Sequence, residues 1–393
     1  MNSYVLAVNG GSSSIKFALY LIDDPPKKQL YGKVDRIGLT GTNLIFSDPA
    51  KNQQGSCNIS SSEYNMAVNF LIDWLEKQIG FASIKAVGHR VVHGMKYTQP
   101  QRVTQELLAE LHRISPYDPD HLPGEIELIE AFRRRFPRLL QVACFDTAFH
   151  QTMPRVAKLL PIPRRFDAMG IQKYGFHGLS YAYLMDELAR IAGEKAAKGQ
   201  VVLAHLGNGV SITAVRDGKS VDTSMGFTPA AGLPMGTRPG DLDPGVAWYL
   251  MKSENLTVEQ FNNLINHQSG LLGVSETSSD MRDLLERQTS DVRAAEAVEL
   301  FCYHARKWIG AFAAVLEGLQ TLVFSGGIGE NAPEIRARIC EGLKFLGVEL
   351  DEARNAANAP VISAAKSPVT VRVIKTDEEL MIAKTVCRIL SEK

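Results

Sequence analysis

Asn9, Ser12, Ser14 and Asn208 stand in two glycine-bearing turns with matching surroundings. Residues 4–21 read YVLAVNGGSSSIKFALYL, and residues 200–215 read QVVLAHLGNGVSITAV. In each, an apolar run enters a turn of Gly, Asn and Ser. An alternating run follows, with Ile15, Phe17, Leu19 and Leu21, or Val210, Ile212 and Ala214, on one face. The pattern predicts strand, polar hairpin, strand, with each second strand half-buried. Anion binding suits such turns, because glycine lets backbone N–H groups approach a ligand while Asn and Ser side chains add polar groups. Two such turns facing one cleft would hold a nucleotide's phosphate chain from both sides. Either turn alone reads as an ordinary hairpin; their recurrence in both halves favours phosphate binding. The pattern is not a Walker P-loop, since Lys16 lies inside the second strand, pointing opposite to Ile15 and Phe17.

These turns need scaffolds, and 393 residues suffice for two or three domains, each with its own core. Lys plus Arg and Asp plus Glu both total 43, so zero formal charge argues against nucleic acid or an anionic membrane as partner and for a small molecule. The N-terminus lacks a basic region followed by a long apolar stretch, and the apolar run 308–319 is broken by Glu317. A cytoplasmic protein is expected. Five scattered cysteines without CxxC spacing fit core thiols better than disulfides or zinc.

Helical periodicity covers 64–79, 106–114 and 125–136, and a buried strand over 139–145 ends in Asp146. Three prolines mark a crossing at 150–173. The second half repeats the plan, with the hairpin from Gln200, helices at 244–252, 257–266 and 291–319, and a strand at 321–325. Strands alternating with helices in both halves predict an α/β protein with a mixed sheet in each half and a ligand in the crevice between them.

The motifs VNGGSSSIKF, GHRVVHG, CFDTAFH, KYGFHGLS, HLGNG, MGTRPGDLDP, SSDMRD, SGGIGEN and TDEEL run in order along nearly the whole chain. In them the chain resembles the acetate kinases and their propionate and butyrate kinase relatives, within the superfamily of actin, the sugar kinases and Hsp70. The resemblance implies duplicated ribonuclease-H-like (actin-like ATPase) domains with mixed sheets around a central cleft. An acyl-site domain would comprise residues 1–149 plus a returning helix 381–393, and a nucleotide-binding domain residues 150–380. It further implies reversible, ATP-dependent phosphorylation of a short carboxylate to an acyl phosphate, using ATP/ADP and magnesium or manganese in a homodimer. Alternatives are a propionate or butyrate kinase of the same fold, or a nucleotide-gated interaction protein like actin or Hsp70, in which Arg90 and Arg238 would have no role.

A carboxylate is already ionised at neutral pH and needs no strong base to attack. Charge is the obstacle, so catalysis should rest on cations and fixed donors. The resemblance places Arg90 against the acyl substrate, Arg238 near the transferring phosphoryl group and His177 as a donor to its oxygens. Taken singly, the arginines read as surface ion pairs and the histidine as a satisfied core residue. Asp146 is catalytic by resemblance, with a role in orienting Arg90 or a metal-bound water favoured over that of a base.

Asn9 and Glu378 are the implied magnesium-side residues, one neutral oxygen and one carboxylate suiting an ion that keeps most of its waters. Within TDEEL, Thr376 and Glu379 read as a capping box opening a helix over 380–390. Ser12, Ser14 and Lys16 belong to the first phosphate turn, and His205, Leu206, Gly207, Asn208 and Gly209 to the second. Gly327, Ile328, Gly329, Glu330 and Asn331 read as a glycine-rich turn before a helix begun near Pro333. Asp280, Met281 and Arg282 resemble the adenosine-side segment, and otherwise read as a helix start.

Val92, Phe176 and Pro229 match the family's small acyl pocket. Tyr117 departs from it: Pro116, Tyr117, Asp118 and Pro119 stand where acetate kinases carry Leu-His-Asn-Pro, so tyrosine replaces the usual histidine. Met95 replaces a glycine, Lys173 an arginine, Tyr181 a histidine and Pro239 a serine. The expectation is acyl kinase chemistry with an altered choice of acid.

Overall fold

Alternating apolar residues put Tyr4–Gly10 (β1) and Ile15–Leu21 (β2) in an antiparallel pair with Asn9 opposite Lys16. In the computed structural model, which describes residues 2–11 and 13–392, β2 continues antiparallel into Lys27–Asp35 (β3), Asn43–Asp48 (β4) and Gln53–Asn58 (β5). The other edge of β1 pairs parallel with Ile84–Val91 (β6). Beyond it, Gln101–Arg102 (β7) edges Leu140–Phe145 (β8), which is parallel to β6. The order is β5-β4-β3-β2-β1-β6-β8-β7.

A second sheet is built from Val201–Leu206 (β9), Val210–Arg216 (β10), Lys219–Thr223 (β11), Thr321–Ser325 (β12) and Thr370–Val373 (β13), in the order β11-β10-β9-β12-β13. Two antiparallel steps followed by two parallel ones repeat the relations of β3-β2-β1-β6-β8. This is the duplicated α/β plan. The first compact unit comprises Met1–Ala148, Gly178–Tyr183 and Asp377–Lys393, the second Phe149–His177 and Leu184–Thr376.

In the first unit, helices Tyr64–Ile79 and Leu122–Arg135 cover one face of the sheet with Leu71, Trp74, Leu128 and Phe132 against Phe17. Helix Glu378–Ser391 covers the other, packing Ile382, Ala383 and Val386 on Val5, Ala7, Ala18 and Tyr20. Gly88 permits this approach, since a Cβ there would lie 2.4 Å from Ile382 Cγ2. Because helices cover both faces, β2 is not half-buried as its alternation predicts: Ala18 and Tyr20 are as enclosed as Phe17. In the second unit, Ser211 and Thr213 on β10 are also fully buried, and helix Val292–Val315 packs against that strand.

Three boundaries differ from expectation for local reasons. The helix predicted over 291–319 stops at Val315, ahead of left-handed Glu317. The predicted turn 327–331 is itself a helix, Gly326–Asn331, launched from β12 by Gly326 at φ 76°. The C-terminal helix begins at Glu378 and is capped by Asp377, whose carboxylate accepts from the Leu380 N–H at 2.9 Å. Thr376 does not cap it; the Thr376 N–H donates to Glu330 Oε1 at 3.1 Å. All five cysteines are free, with Cys144, Cys302 and Cys340 buried. Among the described residues no helix is long and apolar enough to cross a membrane.

Candidate active site

In the first unit, β6 carries Arg90 and the end of β8 delivers Asp146 beside it. Arg90 Nε and Nη2 both donate to Asp146 Oδ2, at 2.9 and 2.6 Å, while Asp146 Oδ1 is buried without a hydrogen bond. Nη1 reaches the Gly10 carbonyl at 3.4 Å and lies 3.6 Å from Glu125 Oε1. Burial disfavours charge on Arg90, but Asp146, Glu125 and Glu378 outweigh it and hold the guanidinium above its ordinary range. Asp146 thus holds one edge of the Arg90 guanidinium. No motif in the sequence singles out Glu125; its one signal there is an acidic residue opening a helix shortly after Tyr117.

The end of β1 meets the start of the C-terminal helix. Asn9 Nδ2 donates to Glu378 Oε2 at 2.8 Å and to Glu379 Oε1 at 3.1 Å. Glu379 is therefore not a cap but a half-buried partner of Asn9. Burial raises the proton affinity of Glu379, Lys16 lowers it and Glu378 raises it further, with a net upward shift. Among the described residues no three His, Cys, Asp or Glu side chains form a chelating cluster. One amide with two adjoining carboxylates, and the orphaned Asp146 Oδ1, instead suit a hard cation that retains most of its waters.

In the second unit, the turn between β9 and β10 is the centre. His177 precedes helix Gly178–Ala192 in a left-handed conformation, φ 58°. Its Nδ1 is 2.8 Å from Ser211 Oγ, and its ring stacks on His205 with centroids 4.3 Å apart. Arg238 Nη1 donates to the Pro229 carbonyl at 2.7 Å. A Cβ placed on Gly209 would lie 3.1 Å from both Arg238 Nη2 and His177 Nε2. Two side chains able to donate to an anion thus converge on one glycine.

Beside that turn lies a cavity of about 460 Å³ whose lining includes Gly207, Asn208, Asp280, Met281, Arg282, Gly327, Ile328 and Asn331. Three separate segments of the sequence-derived nucleotide set meet there. Asp280 also caps its helix, accepting from the Arg282 N–H at 2.9 Å and pairing with the Arg282 guanidinium. Other members of the set do not line the cavity. Leu206 is buried at the end of β9, the Gly329 carbonyl accepts from Arg336 Nη1 at 2.8 Å, and Glu330 Oε1 accepts from the Gly326 and Thr376 N–H groups.

Ser14 closes the first hairpin, its carbonyl accepting from the Gly11 N–H at 2.8 Å; Ser12 lies outside the described residues. Lys16 is exposed on β2 and lines a separate first-unit cavity with Glu379. Val92 and Phe176 are buried, and Pro229 is half-buried. Tyr117 ends the 3-10 turn Ser115–Tyr117 and faces Arg113. Met95 takes φ 46°, in the left-handed region that favours glycine. Lys173 pairs with Asp222 at 3.0 Å.

The model of the Acetokinase family matches residues 4–384. An acetate kinase of Methylocella silvestris is 43% identical over 404 residues, covering 100% of this chain and 99% of that protein. A propionate kinase of Citrobacter rodentium is 44% identical over 398 residues, covering 99% and 97%. The crystal structure of Porphyromonas gingivalis acetate kinase superposes with a TM-score of 0.87 at 37% identity, covering 99% of this chain and 100% of that one.

Proposed function

The chain belongs to the acetokinase family, and from that premise we propose how its own residues perform the family's reaction and on which acid. It is a kinase that transfers a phosphoryl group from ATP to a short-chain carboxylate, or from the acyl phosphate back to ADP. Acetate is the proposed acid, with propionate the second reading because one full-length relative carries that name. The observation that carries the site assignment is the convergence of Arg238 and His177 on Gly209.

Acyl-side roles fall to the first unit. Arg90, braced by Asp146, is assigned to the acid's carboxylate, setting it for in-line attack and offsetting its charge against the phosphates. Val92 is assigned to the acyl methyl, and Tyr117 to tuning the acid's size. Nucleotide-side roles fall to the second unit. Gly207 and Asn208 hold phosphates, Asp280 to Arg282 the adenosine, and the helix starting at Gly326 the edge between them. As negative charge spreads over the oxygens of the phosphoryl group in transit, Arg238 and His177 supply donors already in place. Asn9 and Glu378 would hold magnesium, which when bound shields the phosphates' charge.

Two further features support an assembly and a compartment. Trp248 and Tyr249 are 65% and 62% exposed on helix Pro244–Ser253, an apolar surface suited to a homodimer. Five free thiols suit the reducing cytoplasm. The test of function is a coupled assay of purified protein with ATP and magnesium against formate, acetate, propionate and butyrate. Acetate should give the highest kcat/KM; turnover independent of any carboxylate would defeat the reading.

A further inference from the structure

Two buried carboxyl groups share the edges of one guanidinium. Asp146 takes Arg90 Nε and Nη2, while Nη1 on the opposite edge lies 3.6 Å from Glu125 Oε1. Glu125 is only 2% exposed, and its Oε2 accepts the Val92 N–H at 2.9 Å. It therefore ties together Arg90 and Val92, both assigned above to the acyl side. Its Oε1 makes no hydrogen bond, and a buried oxygen without a donor is most costly when ionised. The charge count adds to this. With Glu125 ionised, Asp146, Glu125 and an incoming carboxylate would set three negative charges around one cation.

We propose that Glu125 is a positioning residue for Arg90 that keeps its proton while the acid is bound, so that only Asp146 and the substrate oppose the guanidinium's charge. This rests on the acyl kinase reading. The groups facing Glu125 are Arg90 from β6, Asp146 after β8, Asp118 ahead of its own helix and Tyr64 from helix Tyr64–Ile79, whose hydroxyl is buried without a partner. Asp118 in turn holds His121 Nδ1 at 2.9 Å. Burial, Asp118 and Asp146 disfavour the ionised form, while Arg90 and the Val92 N–H favour it, and the balance lifts the group to about 8. The acid's affinity is then coupled to a proton: above that pH, binding must draw one from solvent.

The test is KM and kcat for the acid at saturating ATP between about pH 6 and pH 10. In the native chain KM should stay level to about pH 8 and then rise by up to about tenfold per pH unit, with kcat changing far less. Glu125→Gln keeps the shape and cannot ionise, so the alkaline rise should vanish. The same rise in Glu125→Gln, or a level KM in the native chain, overturns the inference. Should that variant fail to fold, calorimetry of the native chain in buffers of differing ionisation enthalpy decides. Uptake approaching one proton per acid bound at about pH 9 supports the inference, and no uptake overturns it. Absence of carboxylate-dependent turnover in the native chain overturns the acyl kinase reading itself.

Discussion

The Asn9 side-chain amide donates to Glu378 Oε2 at 2.8 Å, joining the last polar residue of β1 to a helix that starts 369 positions later. The same amide reaches Glu379, so two adjacent glutamates share one partner while their neighbour Asp377 caps the helix. The helix cap is thus separable from the contacts to Asn9. Asn9→Ala and Glu378→Ala should raise the magnesium concentration needed for half-maximal activity. Asp377→Ala, which removes the cap and the contacts to Tyr20 and Lys28, should lower stability by at least about 1 kcal/mol with little change in metal dependence. Metal titrations and denaturant melts of the three variants check this; an unchanged metal requirement in Glu378→Ala would remove it from the metal side.

The two arginines should respond differently to removal. Arg238→Ala loses a donor to the transferring group, and kcat should fall by about 10² to 10³ with the melting temperature largely kept. Arg90→Ala also strands the buried Asp146 carboxylate, so it should cost about 3–5 kcal/mol of stability besides activity. Asp146→Asn, which keeps an acceptor for Arg90, should lose less stability than Asp146→Ala. Equal melting of both arginine variants would show that the Arg90–Asp146 pair is not structurally important.

Gly209→Ala tests the convergence in the second unit. The added methyl would sit 3.1 Å from both Arg238 Nη2 and His177 Nε2, side-chain atoms rather than backbone. The fold should absorb it. Displacing both donors by tenths of an ångström should lower kcat by about tenfold or more. A variant with unchanged kcat would place the phosphoryl group elsewhere.

Stability should narrow on both sides of neutrality. Burial pushes His89 and His150 down to about 4 from an ordinary 6.5. Each binds a proton more readily when unfolded, so their contribution is present above about pH 6.5 and is lost as pH falls toward 4. Glu125, lifted to about 8, has the opposite sign. It binds its proton more tightly when folded, so its contribution is present below its unfolded value of 4.5 and is lost as pH rises through 8. Urea unfolding across pH should show a decline on each flank, and Glu125→Gln should flatten the alkaline one; an unaltered alkaline flank would argue that Glu125 ionises normally.

Tyr117 stands where the family resemblance implies a histidine, and its side chain offers a hydroxyl in place of an imidazole. Tyr117→His should change the ratio of kcat/KM for acetate to that for propionate and butyrate. Melting should change little, since the residue ends a half-buried 3-10 turn. An unchanged preference order would remove Tyr117 as a determinant of the acid.

Periodicity and turn chemistry by themselves determined both glycine hairpins, the strand at Thr321–Ser325 and the helix Tyr64–Ile79, because each is dictated by neighbours close in sequence. The ordered motifs likewise made the family legible. What only the tertiary structure decided depends on groups far apart in the chain. Alternation made β2 look half-buried because nothing local shows that helix Glu378–Ser391 returns to cover its second face. Thr376 and Glu379 have the spacing of a capping box, yet Asp377 lies at the first non-helical position, and Glu379 is drawn instead to Asn9. Glu125 looked like any acidic residue favoured at a helix start. Its meaning arises only when β6 sets Arg90 and the Val92 N–H against it, in an interior where an unpaired charge costs more than a retained proton.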